Sequence, residues 1–175
     1  MKKNLCISTI FLLLNLLSTS CSNKGENSEN QSYLQAELIL EMIYPYPDKF
    51  LVYYTTDINA VIDGSTVIEK KVYGTNEMQK IVFKFPKGDF PRIIRLDVGK
   101  NQKAERIIIK NISIRYGEKN IDGDDGEFMK SWSPNNCLIY NEENFGYEIV
   151  PNEGKKEPVF MSNVKIQEEL SAFFR

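Results

Sequence analysis

The chain reads as an all-β protein, an antiparallel β-sandwich closed by a short C-terminal helix. Three observations lead there. After residue 33 the apolar residues recur with a period of two almost everywhere, which is the signature of strands with one face in a core. Turn formers separate these runs at short intervals. A helical rhythm occurs only at the very end.

The elements follow in order. Leu38, Leu40 and Met42 alternate with Glu37, Ile39 and Glu41, and Phe50, Val52 and Tyr54 alternate with Leu51, Tyr53 and Thr55. Asp63-Gly64-Ser65 and Gly74-Thr75-Asn76 then make turns. Ile81, Phe83 and Phe85 against Lys80, Val82 and Lys84 form the clearest amphipathic strand, ended by Pro86-Lys87-Gly88. Ile94, Leu96 and Val98 share one face of the next strand, so Arg95 and Asp97 lie on the other. Gly99 to Ala104 makes the reversal. Asp122-Gly123-Asp124-Asp125-Gly126 and Pro134-Asn135-Asn136 are further turns, and Phe145, Tyr147 and Ile149 repeat the strand alternation. About eight or nine short strands with such regular turn signals predict a sandwich or barrel. Ile166, Leu170, Phe173 and Phe174 follow helical spacing, with Asn163 placed to cap.

One strand has a phase conflict. Ile107 and Ile109 are odd, whereas Ile112, Ile114 and Tyr116 are even, so a continuous strand would send the two sets to opposite faces. One extra residue at Lys110-Asn111, a β-bulge, puts both sets into the core and predicts a kinked, strongly twisted strand.

"FPRIIRLDVGKNQKAERIIIKNISI" (90–114), preceded by "QKIVFKFPKGD" and followed by "WSPNN", carries a resemblance. It resembles a β-sandwich module of bacterial surface-polysaccharide proteins, found there beside glycosyltransferases or membrane segments, within the galactose-binding-like jelly rolls. The similarity covers roughly residues 65–160. Its motifs are a strand ending in Arg-Leu-Asp and a following I-x-I-K-x-I-x-I run at 107–114. The resemblance implies a jelly-roll sandwich and a carbohydrate-related role, the latter by analogy of fold.

The N-terminal end has its own logic. Met1-Lys2-Lys3 is basic, Leu5 to Leu17 is mostly apolar, and Ser18-Thr19-Ser20 leads into Cys21. That is the three-part plan of a secretory signal, and the apolar run falls short of the about 20 residues that span a bilayer. The triplet ending at a cysteine resembles the bacterial lipoprotein signal, although Ser18 stands where that pattern favours Leu. Residues 1–20 are therefore expected to be removed, with Cys21 lipidated; ordinary cleavage leaving a free thiol is the alternative. Residues 21–33 have the composition of a flexible tether, and 34–175 form the sandwich domain.

Removing residues 1–20 takes two of 22 basic and none of 24 acidic residues, leaving a net charge near −4. No basic stripe remains, so nucleic acid is not an expected partner. Cys6 leaves with the signal and Cys21 is acylated, which leaves Cys137 without a partner for a disulfide. A domain of this size can bury roughly 70% of its unfolded surface, so the core alone suffices for stability.

Chemistry-bearing residues are few. The chain has no His, which excludes Ser-His-Asp and Cys-His catalysis and His-ligated zinc. A glycosidase could use two carboxylates about 5–10 Å apart, but no acidic pair stands out, and Cys137 in "CLIYN" reads as a buried, inert thiol. Residues 122–127, "DGDDGE", fail the EF-hand template, because position 5 from Asp122 is Gly126 and position 12 is Ser133. An irregular calcium loop remains open there, a solvated turn being preferred. Arg95 and Asp97 either clamp a polar ligand or hold a sheet edge as an ion pair, Asp97 alternatively accepting amide protons of the Gly99 turn. The supporting role is preferred. Trp132, in the loop-like "KSWSPNN", and Tyr140 and Tyr147 are the candidates for stacking on a sugar, with core packing the competing role. The expectation is a non-catalytic, lipid-anchored envelope protein that binds or organises glycans, without cofactor or metal. The alternative is a structural lipoprotein subunit docking onto a larger envelope assembly, with Phe173-Phe174-Arg175 as a contact if exposed.

Overall fold

The computed structural model describes residues 34–174. The expected signal at 1–20, Cys21 and the expected tether at 21–33 lie outside the described residues, as does Arg175. The described residues form two antiparallel sheets packed face to face with one C-terminal helix. Eleven strands are present rather than eight or nine, since two three-residue strands carry too little pattern to be read from sequence. One sheet contains β1 (Ala36–Tyr44), β4 (Thr75–Lys84), β6 (Arg106–Tyr116), β9 (Leu138–Asn141) and β10 (Gly146–Ile149), in the order β4-β1-β6-β10-β9, with β7 (Lys119–Ile121) also pairing with β6. The other contains β2 (Asp48–Thr55), β3 (Val67–Val72), β5 (Ile93–Asp97), β8 (Trp132–Pro134) and β11 (Val159–Ser162), in the order β3-β2-β5-β11-β8.

The alternating apolar residues meet between the sheets. Leu38, Leu40, Met42 and Phe83 from the first face Phe50, Val52, Ile94, Leu96 and Phe160 from the second, and all nine are fully buried. Edge-to-face pairs join the sheets at two places, Tyr54 with Phe85 and Tyr147 with Phe160, each at 5.0 Å between centroids. The alternation breaks at Phe145. It lies in the β9–β10 turn at φ +52° and is 73% exposed, because the chain reverses one residue before the apolar period resumes.

The bulge in β6 is present. Glu41 pairs with Asn111 and Met42 with Ile109, so Lys110 is the extra residue and stands exposed. Ile107, Ile109, Ile112 and Ile114 are all buried as a result. The reset also turns Asn111 outward, where its amide donates to the Asp122 carboxylate at 2.7 Å and accepts from the Gly123 amide at 3.1 Å.

The helix α1 (Val164–Phe173) begins at Asn163, whose side chain accepts from the Ile166 amide, and it buries Ile166 and Leu170. Cations meet its carboxyl end: Arg92 donates to the Leu170 carbonyl at 3.2 Å and Lys119 to that of Phe173 at 3.0 Å. Phe173 and Phe174 are half-buried, Phe174 packing on Phe90 and Tyr116, so these rings are not a free docking surface.

Three tyrosines make the fold sensitive to alkali. Burial raises the Tyr44, Tyr54 and Tyr147 hydroxyls above the usual range, Tyr147 to about 12. The carboxylates of Asp48 and Asp89, hydrogen-bonded to Tyr44 and Tyr54 at 3.0 and 2.5 Å, add to this. Unfolded tyrosines ionise near 10, so above that pH the unfolded state binds fewer protons than the folded one. Stability present at neutral pH is then lost by about 1.4 kcal/mol per pH unit for each such group. Urea midpoints should fall steeply between about pH 10 and 12 and fall less in Tyr147→Phe. A midpoint unchanged across that window would contradict the burial of these hydroxyls.

Candidate functional site

The two outer faces of the sandwich differ in chemistry. On the first sheet, Glu37 lies between Lys84 at 3.6 Å and Arg115, and Glu41 pairs with Lys80 at 2.9 Å. These ladders satisfy one another, and Ile39, between Glu37 and Glu41 on β1, is 4% exposed. The face is self-complementary and solvated.

The outer face of the second sheet is built differently. Tyr53, Val67 and Arg95 occupy one cross-strand row of β3, β2 and β5, and Met161 continues it on β11. Arg95 donates to Asp97 through Nε at 2.7 Å and through a terminal nitrogen at 2.9 Å. This fork-on-fork geometry is the strongest form of the interaction, and the hydrogen bonds that Arg95 donates to Asp97 raise the Arg95 pKa. The Arg95 guanidinium stands 5.4 Å from the centroid of the Tyr53 ring. Tyr53 and Arg95 are half-exposed, whereas Asp97 is 4% exposed. The preferred sequence reading, an on-sheet ion pair, describes this geometry, but its position needs correcting. β5 is the central strand of its sheet, between β2 and β11, so the pair supports the middle and not an edge.

Asp97 does not hold the Gly99 turn. Asp48 does, accepting from the amides of Lys100 at 3.0 Å and Asn101 at 2.9 Å. Gly99 sits at φ +98°, and a Cβ there would come within 2.1 Å of the Asp48 carboxylate, so only glycine fits. Sequence reasoning missed Asp48. Its signal was the Pro-Tyr-Pro-Asp run opening β2, a turn-forming stretch with a carboxylate at its end.

The aromatic candidates move inward. Trp132 is not in a loop. It opens β8, pairs with Ser162, and is 1% exposed, one of the largest fully buried side chains. The stretch 131–140 holds β8 and the start of β9, so the turn chemistry of Pro134-Asn135-Asn136 serves a short strand-to-strand connection. No ring face of Trp132 is open to a sugar. Tyr147 is 3% exposed in the core, and Tyr140 is half-buried against it at 5.3 Å between centroids. On the outer face beside Arg95 the half-exposed aromatic is Tyr53, which sequence reasoning did not single out. Its signal is a large ring in the solvent phase of an otherwise amphipathic strand.

The acidic loop is engaged in local structure. Asp122 accepts from Asn111 and from the Asp124 amide at 3.2 Å, and Asp124 lies 3.8 Å from Lys110. Among the described residues no three metal-ligating side chains converge. Cys137 is buried, its thiol donating to the Lys155 carbonyl at 3.6 Å. No described helix is long and apolar enough to cross a membrane.

Two recesses flank the Arg95–Asp97 pair on this outer face. One, of about 290 Å³, is lined by Leu51, Glu69, Asp97, Gly99 and Lys100 among others. The second, of about 340 Å³, lies toward β11 and includes Arg95, Asn135 and Glu157. Comparison with protein-family models, with curated proteins and with solved structures finds no significant match to this chain.

Proposed function

We propose that this chain is a non-catalytic envelope protein, lipid-anchored at Cys21, whose sandwich binds glycans on the outer face of the five-stranded sheet. The observation that carries the binding site is the row Tyr53–Arg95 with Asp97 behind it. A sugar offers an apolar ring face and a rim of hydroxyls, which suit a half-exposed aromatic beside fixed polar groups. Asp97 holds the Arg95 guanidinium in place before any ligand arrives, which lowers the ordering cost of binding. The anchor rests on the apolar run at 5–17, the Ser18-Thr19-Ser20-Cys21 junction and the polar stretch that follows. Processed lipoproteins carry several acyl chains, as stable anchoring requires.

One experiment tests both parts. The Cys21→Ser protein should leave the membrane fraction, or fail to mature, and its recovered form should bind members of an envelope glycan array. Tyr53→Ala in that background should weaken binding about tenfold or more with little change in melting temperature, since contact energy concentrates on few side chains. Undiminished membrane association would refute lipidation, and absence of any glycan binding would refute the ligand.

A second reading, a structural subunit of a larger envelope assembly, is favoured by one feature. Ile58 and Val164, 45% and 67% exposed, line a shallow recess between the 56–66 loop and α1. Loss of complex formation in Ile58→Asp would support it.

A further inference from the structure

The row through Tyr53 and Arg95 extends well beyond that pair. Tyr53 stands opposite Val67 on β3 and Arg95 on β5, Arg95 opposite Met161 on β11, and Met161 opposite Ser133 on β8. Their strand neighbours Val52, Ile94, Phe160 and Trp132 are buried and Ile68 packs on the core, so by alternation the row lies on the outer face. Val67 is 47% and Met161 37% exposed, Ser133 is exposed, and Tyr53 and Arg95 are half-exposed. The row thus crosses every strand of this sheet without interruption. Its inter-strand steps add up to roughly 19 Å, far longer than one sugar ring. β3 and β8 are the two edges of the sheet, so no further strand closes either end of the row.

The chemistry of the row limits what can lie on it. Arg95 is its one charged side chain, and the guanidinium is met by Asp97 and faces Glu157 as well, so the row offers a ligand no net positive charge. Val67, Tyr53 and Met161 supply apolar surface, with the Arg95 and Ser133 donors between and beside them. The backbone groups of β2, β5 and β11 are engaged by a strand on each side. A ligand lying across them meets side chains only, which removes the main source of affinity for an extended peptide, strand addition. The recesses beside the row, about 290 and 340 Å³, reach only the lower end of the range that encloses a small ligand, about 300–1,000 Å³. Affinity on such a face has to accumulate along its length.

We infer that the row holds an internal stretch of a linear, uncharged glycan, lying across the strands from Val67 to Ser133 with both of its ends running on past the sheet edges. All five side chains stand on strands, so the platform is ordered before the ligand arrives. The inference rests on the glycan-binding reading and specifies the kind of glycan and how it lies.

The test is calorimetric titration of the Cys21→Ser protein with unbranched cello-, laminari- and manno-oligosaccharides, each from mono- to hexasaccharide. In at least one series affinity should rise about tenfold or more from disaccharide to hexasaccharide, a difference of about 1.4 kcal/mol. The hexasaccharide blocked at both ends should bind as tightly as the unblocked one. Val67→Gln and Met161→Ala, changes at exposed side chains on either side of the Tyr53–Arg95 pair, should each flatten the rise with length and leave the melting curve unchanged. A monosaccharide that binds as tightly as its hexasaccharide, or loss of binding on end-blocking, overturns the internal-stretch assignment and leaves the glycan reading standing. A rise with length that neither variant alters overturns the location. Tighter binding of oligogalacturonate than of every neutral series overturns the uncharged class. Failure of every glycan, with or without binding of an extended proline oligomer, overturns both readings.

Discussion

Trp132→Ala is expected to lower stability by about 3–5 kcal/mol and the melting temperature by roughly 10 °C or more. The indole is 1% exposed at the start of β8, in contact with the inter-sheet core. Truncation removes its transfer free energy and leaves a cavity that short β8, tied to one neighbouring strand, cannot close by moving inward. Thermal denaturation followed by circular dichroism measures the loss. The native emission of this single Trp offers a second readout, since a buried indole should emit at shorter wavelength than an exposed one. A melting curve unchanged in Trp132→Ala would return the residue to the surface and reopen its use as a sugar platform.

The bulge yields the second large effect. Ile109→Ala and Ile112→Ala should each cost about 2–5 kcal/mol, because the extra residue Lys110 puts both side chains in the same core. Lys110→Ala should stay within about 0.5 kcal/mol, as surface substitutions do. Deleting Lys110 is another matter: it restores a continuous strand and sends one isoleucine pair to the outer face. Urea denaturation of the four variants distinguishes the cases. Were Ile109→Ala nearly neutral and Ile112→Ala severe, β6 would run through without a bulge.

The strand phases were legible because a two-residue period is a local property. Leu38-Leu40-Met42, Phe50-Val52-Tyr54 and Ile94-Leu96-Val98 each declare a core face without reference to partners, and each is buried in the sandwich. Even the bulge could be read, since an odd set of isoleucines next to an even set has one economical resolution. Phe145 shows the limit of the method. It keeps the alternation of Tyr147 and Ile149, yet the backbone turns beneath it at φ +52°, and periodicity carries no information on where a hairpin begins.

Reading the candidate site was harder, because it depends on neighbours distant in sequence. Arg95 and Asp97 stand two apart on one strand, so their shared side was evident. Their place at the centre of a sheet depends on β2 and β11, about forty and sixty residues away on either side in the chain. Trp132 looked like a loop residue because "SWSPNN" is rich in turn formers, and three residues are too few to show a period.

By itself, then, the sequence determined the all-β class, the core faces, the β6 bulge, the capped C-terminal helix and the lack of histidine chemistry. These follow from local periodicity, capping and composition. Tertiary structure alone decided that Trp132 and Tyr147 belong to the core, that Asp48 holds the Gly99 turn, and that Tyr53, Arg95 and the 152–157 segment border one outer face. The physical reason is that a side chain's exposure depends on what packs over it. In a sandwich whose chain passes repeatedly between two sheets, those neighbours come from remote parts of the sequence.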